Sequence, residues 1–299
     1  MHVTIIGTGL IGCSLGMALR RAGHHVTGVD HNSLHLEQAH SRGGIDDALP
    51  MEEALKLTQL VVLCVPVDTI AGMLPGLLDQ LSPHTVVMDL GSTKADICNA
   101  VEDHSNRRAF VAVHPMAGVE HSGPLAAHID LFLHARVIIC NAHQSSTDAL
   151  NRVLSVLQEL KMKVIFMDAD HHDRQLALVS HLPQFIAYAL SSMDEFANPD
   201  FKEWTELGGG GLQSSIRLGK SDANMWIPVF QQNKENLLQI IDRYMQQLST
   251  MKDMVLNNDK PGMQQLILNA NTNYEKLNYS NNIPRASIPE KNTPQVFYS

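Results

Sequence analysis

The chain has 299 residues, enough for two domains of ordinary size. Hydrophobic residues make up 44% and charged residues 18%, which supplies material for buried cores and excludes a wholly disordered chain. A formal charge of −9 argues against nucleic acid or an anionic membrane surface as partner, since neither attracts an acidic surface. No stretch approaches ~18 uninterrupted apolar residues and the first residues lack a basic leader pattern, so neither a membrane span nor a signal peptide is expected. Cys13, Cys64, Cys98 and Cys140 lie far apart, with no C-x-x-C pair, and read as reduced thiols of a cytoplasmic protein.

In chain order, short β-branched runs at 3–6, 26–29, 60–65, 85–88, 110–113, 136–140 and 163–167 predict strands buried on both faces. Helical spacing at 10–21, 70–81 and 147–161 falls between several of them. This alternation predicts an α/β domain over 1–168, a doubly wound parallel sheet with right-handed crossovers. Beyond 168 the strand signal stops. The segment 170–196 has helical periodicity, with Pro183 expected to kink it or mark a junction. A glycine run at 208–211 interrupts the next helical stretch, and helices are expected at about 224–252 and 260–277. The segment 169–278 therefore reads as an all-α domain. Its apolar face of Leu237, Leu238, Ile240, Ile241 and Tyr244 is broader than a small helical layer needs, which predicts a homodimer formed through this domain. The Asn-, Ser- and Pro-rich segment 279–299 reads as an extended or mobile tail.

The strongest local motif is Gly7-Thr8-Gly9-Leu10-Ile11-Gly12, directly after the first strand and opening the first helix. Gly7 permits the tight turn, Gly9 lets backbone approach a pyrophosphate, and Gly12 allows close helix–strand packing. The amides of Leu10 and Ile11 at the helix N-terminus then face the anion. Asp30 ends the second strand, where a carboxylate accepts from ribose hydroxyls and repels a 2′-phosphate. His31, Asn32 and Ser33 follow it with no Arg or Lys, which favours NAD over NADP in a Rossmann-type domain. On the blander reading the glycines only shape a turn and Asp30 caps a helix starting near Leu34. Val65 and Pro66 lie at the carboxyl edge of the sheet, where they either end a strand or touch the cofactor. Asp89-Leu90-Gly91-Ser92-Thr93-Lys94 also follows a strand. It serves as a helix cap, or else Ser92 and Lys94 face the nicotinamide end.

His114-Pro115-Met116-Ala117-Gly118-Val119-Glu120 stands just past another strand. A histidine there can present a ring nitrogen to the nicotinamide crevice, and an ordinary pKa near ~6.5 suits a general base. The chain has 16 histidines, so position has to select among them. His31, His35 and His40 read as surface residues. His171 and His172 are adjacent and diverge by ~100° on a helix, so no metal site is expected there.

In order, G-x-G-L-I-G-x-S-L, D-x-G-S-x-K, H-P-M-A-G-x-E-x-S-G and H-D-x-x-x-A-x-x-S-H-L-P (172–183), with Arg217 and Trp226 nine residues apart, resemble the prephenate/arogenate dehydrogenase family of tyrosine biosynthesis. The likeness covers most of the chain. It implies oxidative decarboxylation of prephenate, or of arogenate on the closest alternative, with NAD as hydride acceptor. It further implies His114 as base on the C4 hydroxyl, Ser92 near the same hydroxyl, and Arg217 as a bidentate clamp on a carboxylate. His181 and Trp226 would bind the side chain, Lys94 would serve the substrate end, and Glu120 would belong to an ionic network gating access.

The chain departs from the family pattern at Ser214, where relatives often carry an acid, and at Gln184, where histidine is frequent. Its glycine run is longer than usual and is expected to loosen a loop over the site. No regulatory domain of ~70 residues is expected, so any tyrosine feedback would act at the active site or the dimer interface. A β-hydroxyacid dehydrogenase would need a lysine base on the helical domain, and 170–192 supplies none. A non-catalytic NAD-sensing module accounts for the glycines and Asp30 but not for His114, Ser92 and Arg217 in family order.

Overall fold

The computed structural model describes residues 1–119, 121–196 and 198–281. Glu120 and the segment 282–299 of the expected tail lie outside the described residues. The chain divides into two compact units, Met1–Asp242 and Arg243–Ser299.

The first unit is built on strands β1 (His2–Ile6), β2 (His25–Val29), β3 (Asp47–Ala48), β4 (Leu60–Leu63), β5 (Val86–Asp89), β6 (Phe110–Pro115), β7 (Arg136–Cys140) and β8 (Lys163–Met167). They form one sheet in the order β3-β2-β1-β4-β5-β6-β7-β8. Helices α1 (Leu10–Arg21), α2 (Ser33–Ser41), α3 (Met51–Leu57), α4 (Val67–Asp79), α5 (Ala95–Asn99) and α6 (Thr147–Glu159) connect them. Strand β4 shows why the middle of the sheet is covered on both sides; the edge strand β8 is not buried as expected, with Ile165 and Phe166 exposed. Leu60 and Val62 join one core with Cys13, Leu15 and Leu19 of α1 and Val153 and Val156 of α6. Val61 and Leu63 join another with Ile70, Leu74 and Leu77 of α4 and Ile97 of α5. Each such side chain is worth about 1.5–3 kcal/mol when fully buried.

The sheet is not wholly parallel. Strand β7 runs antiparallel to β6, pairing His114 with Ile138 and Pro115 with Val137, while β8 returns parallel to β7 after α6. Apolar periodicity reports burial and not direction, and the described residues of 116–135 hold only a 3₁₀ turn (Pro124–Ala126) in place of a crossover helix. Strand β3, two exposed residues long, carries no apolar pattern and was not expected.

After β8 come α7 (Ala169–Leu176), a π-helical turn (Ala177–His181), α8 (Leu182–Ser191), α9 (Trp204–Leu207), α10 (Gly210–Ile216) and α11 (Ala223–Gln232). Pro183 sits in the first turn of α8. Its ring would crowd the carbonyl four residues back, which lies in the widened π turn. The glycine run does not make the expected loop: Gly208 closes α9, Gly209 caps α10, and Gly210 and Gly211 lie within α10. The helix expected at 224–252 is broken at Asn233, giving α11 and then α12 (Lys234–Leu256). Helix α13 (Lys260–Asn281) runs past 279, where a tail was expected to begin.

In α12 Leu237 is buried while Leu238, Met245, Leu248 and Met251 are exposed; in α13 Ile267, Leu268 and Tyr274 are exposed. Among the described residues no helix is long and apolar enough to cross a membrane.

Candidate active site

Chain order reverses between β1 and β4, which puts a crevice beyond their carboxyl ends. The glycine turn fills the β1 side. Gly7 has φ +92°, and a Cβ there would lie 2.6 Å from the Cys64 carbonyl oxygen and 2.8 Å from Val65 Cγ1. A Cβ on Gly12 would lie 1.9 Å from the Gly7 carbonyl oxygen, so both positions demand glycine. Gly9 faces open space instead, and caps α1 with no side-chain bond and no acid in the first turn. The Leu10, Ile11 and Gly12 amides therefore have no partner within the helix and can receive an anion. Val65 borders this turn, and Pro66 is exposed and starts α4.

Asp30 is nearly covered, with Oδ2 accepting from the Thr8 amide (2.8 Å) and hydroxyl (3.1 Å) and Oδ1 from the Asn32 amide (2.9 Å). Burial alone would raise its pKa. The bonds from Asn32 and Thr8, with His35 nearby, outweigh burial and bring it below the usual carboxylate value. The cap of α2 is Asn32, so Asp30 is not spent on capping. His31 is exposed and His35 half-buried, their Nδ1 atoms 3.3 and 3.7 Å from the carboxylate. A free helix N-terminus beside an ionised, anchored carboxylate fits a dinucleotide.

Beyond β5 and β6 lies a second cluster. Asp89 and Lys94 form a fully buried ion pair. Lys94 Nζ also donates to the Val113 carbonyl (3.0 Å), and Asp89 Oδ1 accepts from the Val113 amide (3.2 Å). Lys94 was expected at the substrate end; its fully buried ammonium is instead engaged by Asp89 and the Val113 carbonyl and clamps the backbone just before His114. Ser92, half-buried, stands in the same loop two residues earlier.

His114, 8% exposed, places Nδ1 2.8 Å from Nε2 of His172. His172 Nδ1 lies 2.7 Å from Asp173 Oδ1. Burial drives the His114 imidazole well below its ordinary pKa of 6.5, and the charges of His172, Lys94 and His181 act in the same direction. Burial also lowers His172, outweighing the pull of Asp173. His181 is fully buried and pushed down to about 4, chiefly by burial. Its Nδ1 lies 3.0 Å from Asn233 Nδ2, which also donates to the Asp173 carbonyl (2.7 Å). The break between α11 and α12 thus delivers a buried amide to two site residues.

With Nδ1 accepting from that amide, His181 Nε2 carries the proton. Trp226 Nε1 is always a donor, and its ring centroid lies 6.0 Å from that of His181. Neither nitrogen has a partner within the described residues, so two rings 6.0 Å apart each carry an unpartnered buried donor.

Arg217, exposed, opens a 3₁₀ turn (Arg217–Lys220) held on α8 by the bond from Gln184 Nε2 to the Leu218 carbonyl (2.7 Å). Gln184 thus ties α8 to this turn. Sequence reading missed His172, Asp173, Asp89 and Asn233 as partners in the site. The H-D pair at 172–173 carried a signal, because an Asp beside a buried His fixes its tautomer. Cys13, Cys98 and Cys140 are buried and Cys64 half-buried; all four are free, with their pKa values raised mainly by burial. Among the described residues no His, Cys, Asp and Glu side chains gather as a metal site, and His171 points outward while His172 is buried.

Two family profiles match in tandem: the nucleotide-binding domain of prephenate dehydrogenase over residues 15–166 and its dimerization domain over 168–269. The chain belongs to the prephenate dehydrogenase family. Family membership makes the cluster around His114 the candidate active site of a dehydrogenase. A cyclohexadienyl dehydrogenase of Zymomonas mobilis is 27% identical, over 86% of this chain and 89% of that protein. The crystal structure of prephenate dehydrogenase from A. aeolicus in complex with hydroxyphenyl propionate and NAD+ is 27% identical, with a TM-score of 0.85 over 93% of this chain and 98% of that one. That of Synechocystis arogenate dehydrogenase is 28% identical, with a TM-score of 0.76 over 93% of this chain and 100% of that one.

Proposed function

We propose that the protein oxidatively decarboxylates prephenate with NAD, forming 4-hydroxyphenylpyruvate. Bound at the glycine turn, NAD supplies the acceptor for the hydride leaving C4. Asp30 holds the adenosine ribose and disfavours a 2′-phosphate, while the α1 N-terminus receives the pyrophosphate.

His114 takes the proton of the C4 hydroxyl. Burial lowers its pKa and so favours the neutral imidazole, whose lone pair can take the proton. Ser92 orients the same hydroxyl. As the ring carboxylate departs as CO₂ the ring becomes aromatic, and His114 returns the proton to the phenolate oxygen. Arg217 clamps a substrate carboxylate, its planar fork matching two oxygens. Glu120 is proposed, from the family likeness alone, for an ionic network gating access.

The observation that carries the choice of prephenate is the donor pair His181 Nε2 and Trp226 Nε1, buried and without partners. Two N–H groups suit the keto and carboxylate oxygens of a pyruvyl side chain. An ammonium in the keto position, as in arogenate, would present donors to donors. Arogenate is the second reading, supported by the likeness to the Synechocystis enzyme. Parallel assays of both substrates, each with NAD and NADP, test the choice. Prephenate with NAD is expected to give the highest kcat/KM, and equal or better use of arogenate overturns it.

We further propose a homodimer, supported by the match to the dimerization domain and by the exposed apolar residues of α12 and α13. A light-scattering mass of one chain at micromolar concentration would contradict it.

A further inference from the structure

The chain His114–His172–Asp173 fixes more than a contact. Asp173 is anchored from the other side: Oδ1 also accepts from the Lys94 amide and Oδ2 from the Ala95 amide, both 2.9 Å. Its carboxylate therefore joins the Ser92 loop to α7 and can only accept from His172. His172 must then carry its proton on Nδ1, which leaves Nε2 as a lone pair. That lone pair lies 2.8 Å from His114 Nδ1, so His114 carries its proton on Nδ1 and keeps Nε2 bare. A single carboxylate thus sets two tautomers in series.

We propose that His172, oriented by Asp173, is a positioning residue that holds the basic nitrogen of His114 toward substrate and takes over the positive charge when His114 is protonated. The inference rests on His114 being the base. In the step, the substrate O–H bond breaks and an N–H bond forms at His114 Nε2. The Nδ1–H bond of His114 then breaks as one forms at His172 Nε2. The cation moves from His114, which faces Lys94 and His181, to His172, which lies against the Asp173 carboxylate with Lys94 and Asp89 beyond it. Aromatisation reverses both transfers as the phenolate oxygen reclaims its proton, so no proton is gained or lost over the turnover.

His172 is 0% exposed, with both ring nitrogens engaged by groups of the site, Nε2 by His114 and Nδ1 by Asp173.

The test compares His172→Ala with His172→Gln, whose side-chain oxygen can still accept from His114 Nδ1 but cannot carry the charge. For His172→Ala, kcat is expected to fall about 100-fold with KM for prephenate within threefold. For His172→Gln about half of that loss, on a logarithmic scale, is expected to return. The NAD dissociation constant, read by fluorescence, is expected to stay within twofold in both and reports folding. An unchanged kcat in His172→Ala, equal losses in both variants, or parallel loss of NAD binding overturns the inference. Activity of His114→Asn separates the two levels: if that variant is fully active the base assignment falls and this inference with it, whereas an inactive His114→Asn beside an active His172→Ala removes only the relay.

Discussion

Acidification should destabilise this fold through its buried histidines. His181 is fully buried, with its pKa pushed from 6.5 down to about 4. In the unfolded chain the imidazole takes up a proton as pH falls through about 6.5; in the folded protein it refuses one until about 4. Between those limits the unfolded state binds more protons, so stability is fully present above pH 6.5 and drains as pH falls. At about 1.4 kcal/mol per pH unit, His181 alone costs about 2 kcal/mol by pH 5 and about 3 kcal/mol near pH 4. His114 and His172 are lowered as well and add in the same direction. The assay is urea unfolding at pH 7.5, 6.5, 5.5 and 5.0 on the wild type and on His181→Gln. The variant removes one titrating group, so its loss between pH 7.5 and 5.0 should be smaller by about 2 kcal/mol. A wild type equally stable at pH 7.5 and 5.0, or a variant with the same slope, would show that His181 is not kept neutral by burial.

Lys94→Met leaves the Asp89 carboxylate buried without its cation and should cost about 3–5 kcal/mol in urea unfolding, since a broken buried pair strands a charge. Asp30→Asn keeps an oxygen for Thr8 but removes the charge facing the ribose. The preference for NAD over NADP in kcat/KM should drop by about tenfold or more. Arg217→Ala should raise KM for prephenate by about 10- to 100-fold with kcat little changed, as expected for lost carboxylate binding measured by steady-state kinetics.

What could be read from the sequence was what is local. The buried strands announced themselves by β-branched runs because both faces are covered, and the glycine turn because Gly7 and Gly12 have steric reasons confined to a few neighbours. His114 stood out because it follows a strand end. Strand direction did not: β7 shows the same apolar run whether it pairs parallel or antiparallel with β6. Nor did the fate of Lys94, whose ammonium meets the Val113 carbonyl 19 residues away and whose amide meets Asp173 79 residues away. In sequence it looks like a ligand because the motif surrounds it, and only burial shows it to be a clamp. Asn233 was invisible for the same reason. A break inside an apolar periodic stretch costs helix bonds, and its compensation, the Asp173 carbonyl and His181, lies 60 and 52 residues off.

Whether one neutral, buried imidazole takes the substrate proton is decided by His114→Asn. Asparagine keeps a hydrogen-bonding side chain but cannot accept the proton. In that variant kcat is expected to fall about 10²- to 10⁴-fold with KM for prephenate within a few-fold and NAD binding intact. A kcat within twofold of the wild type would contradict it.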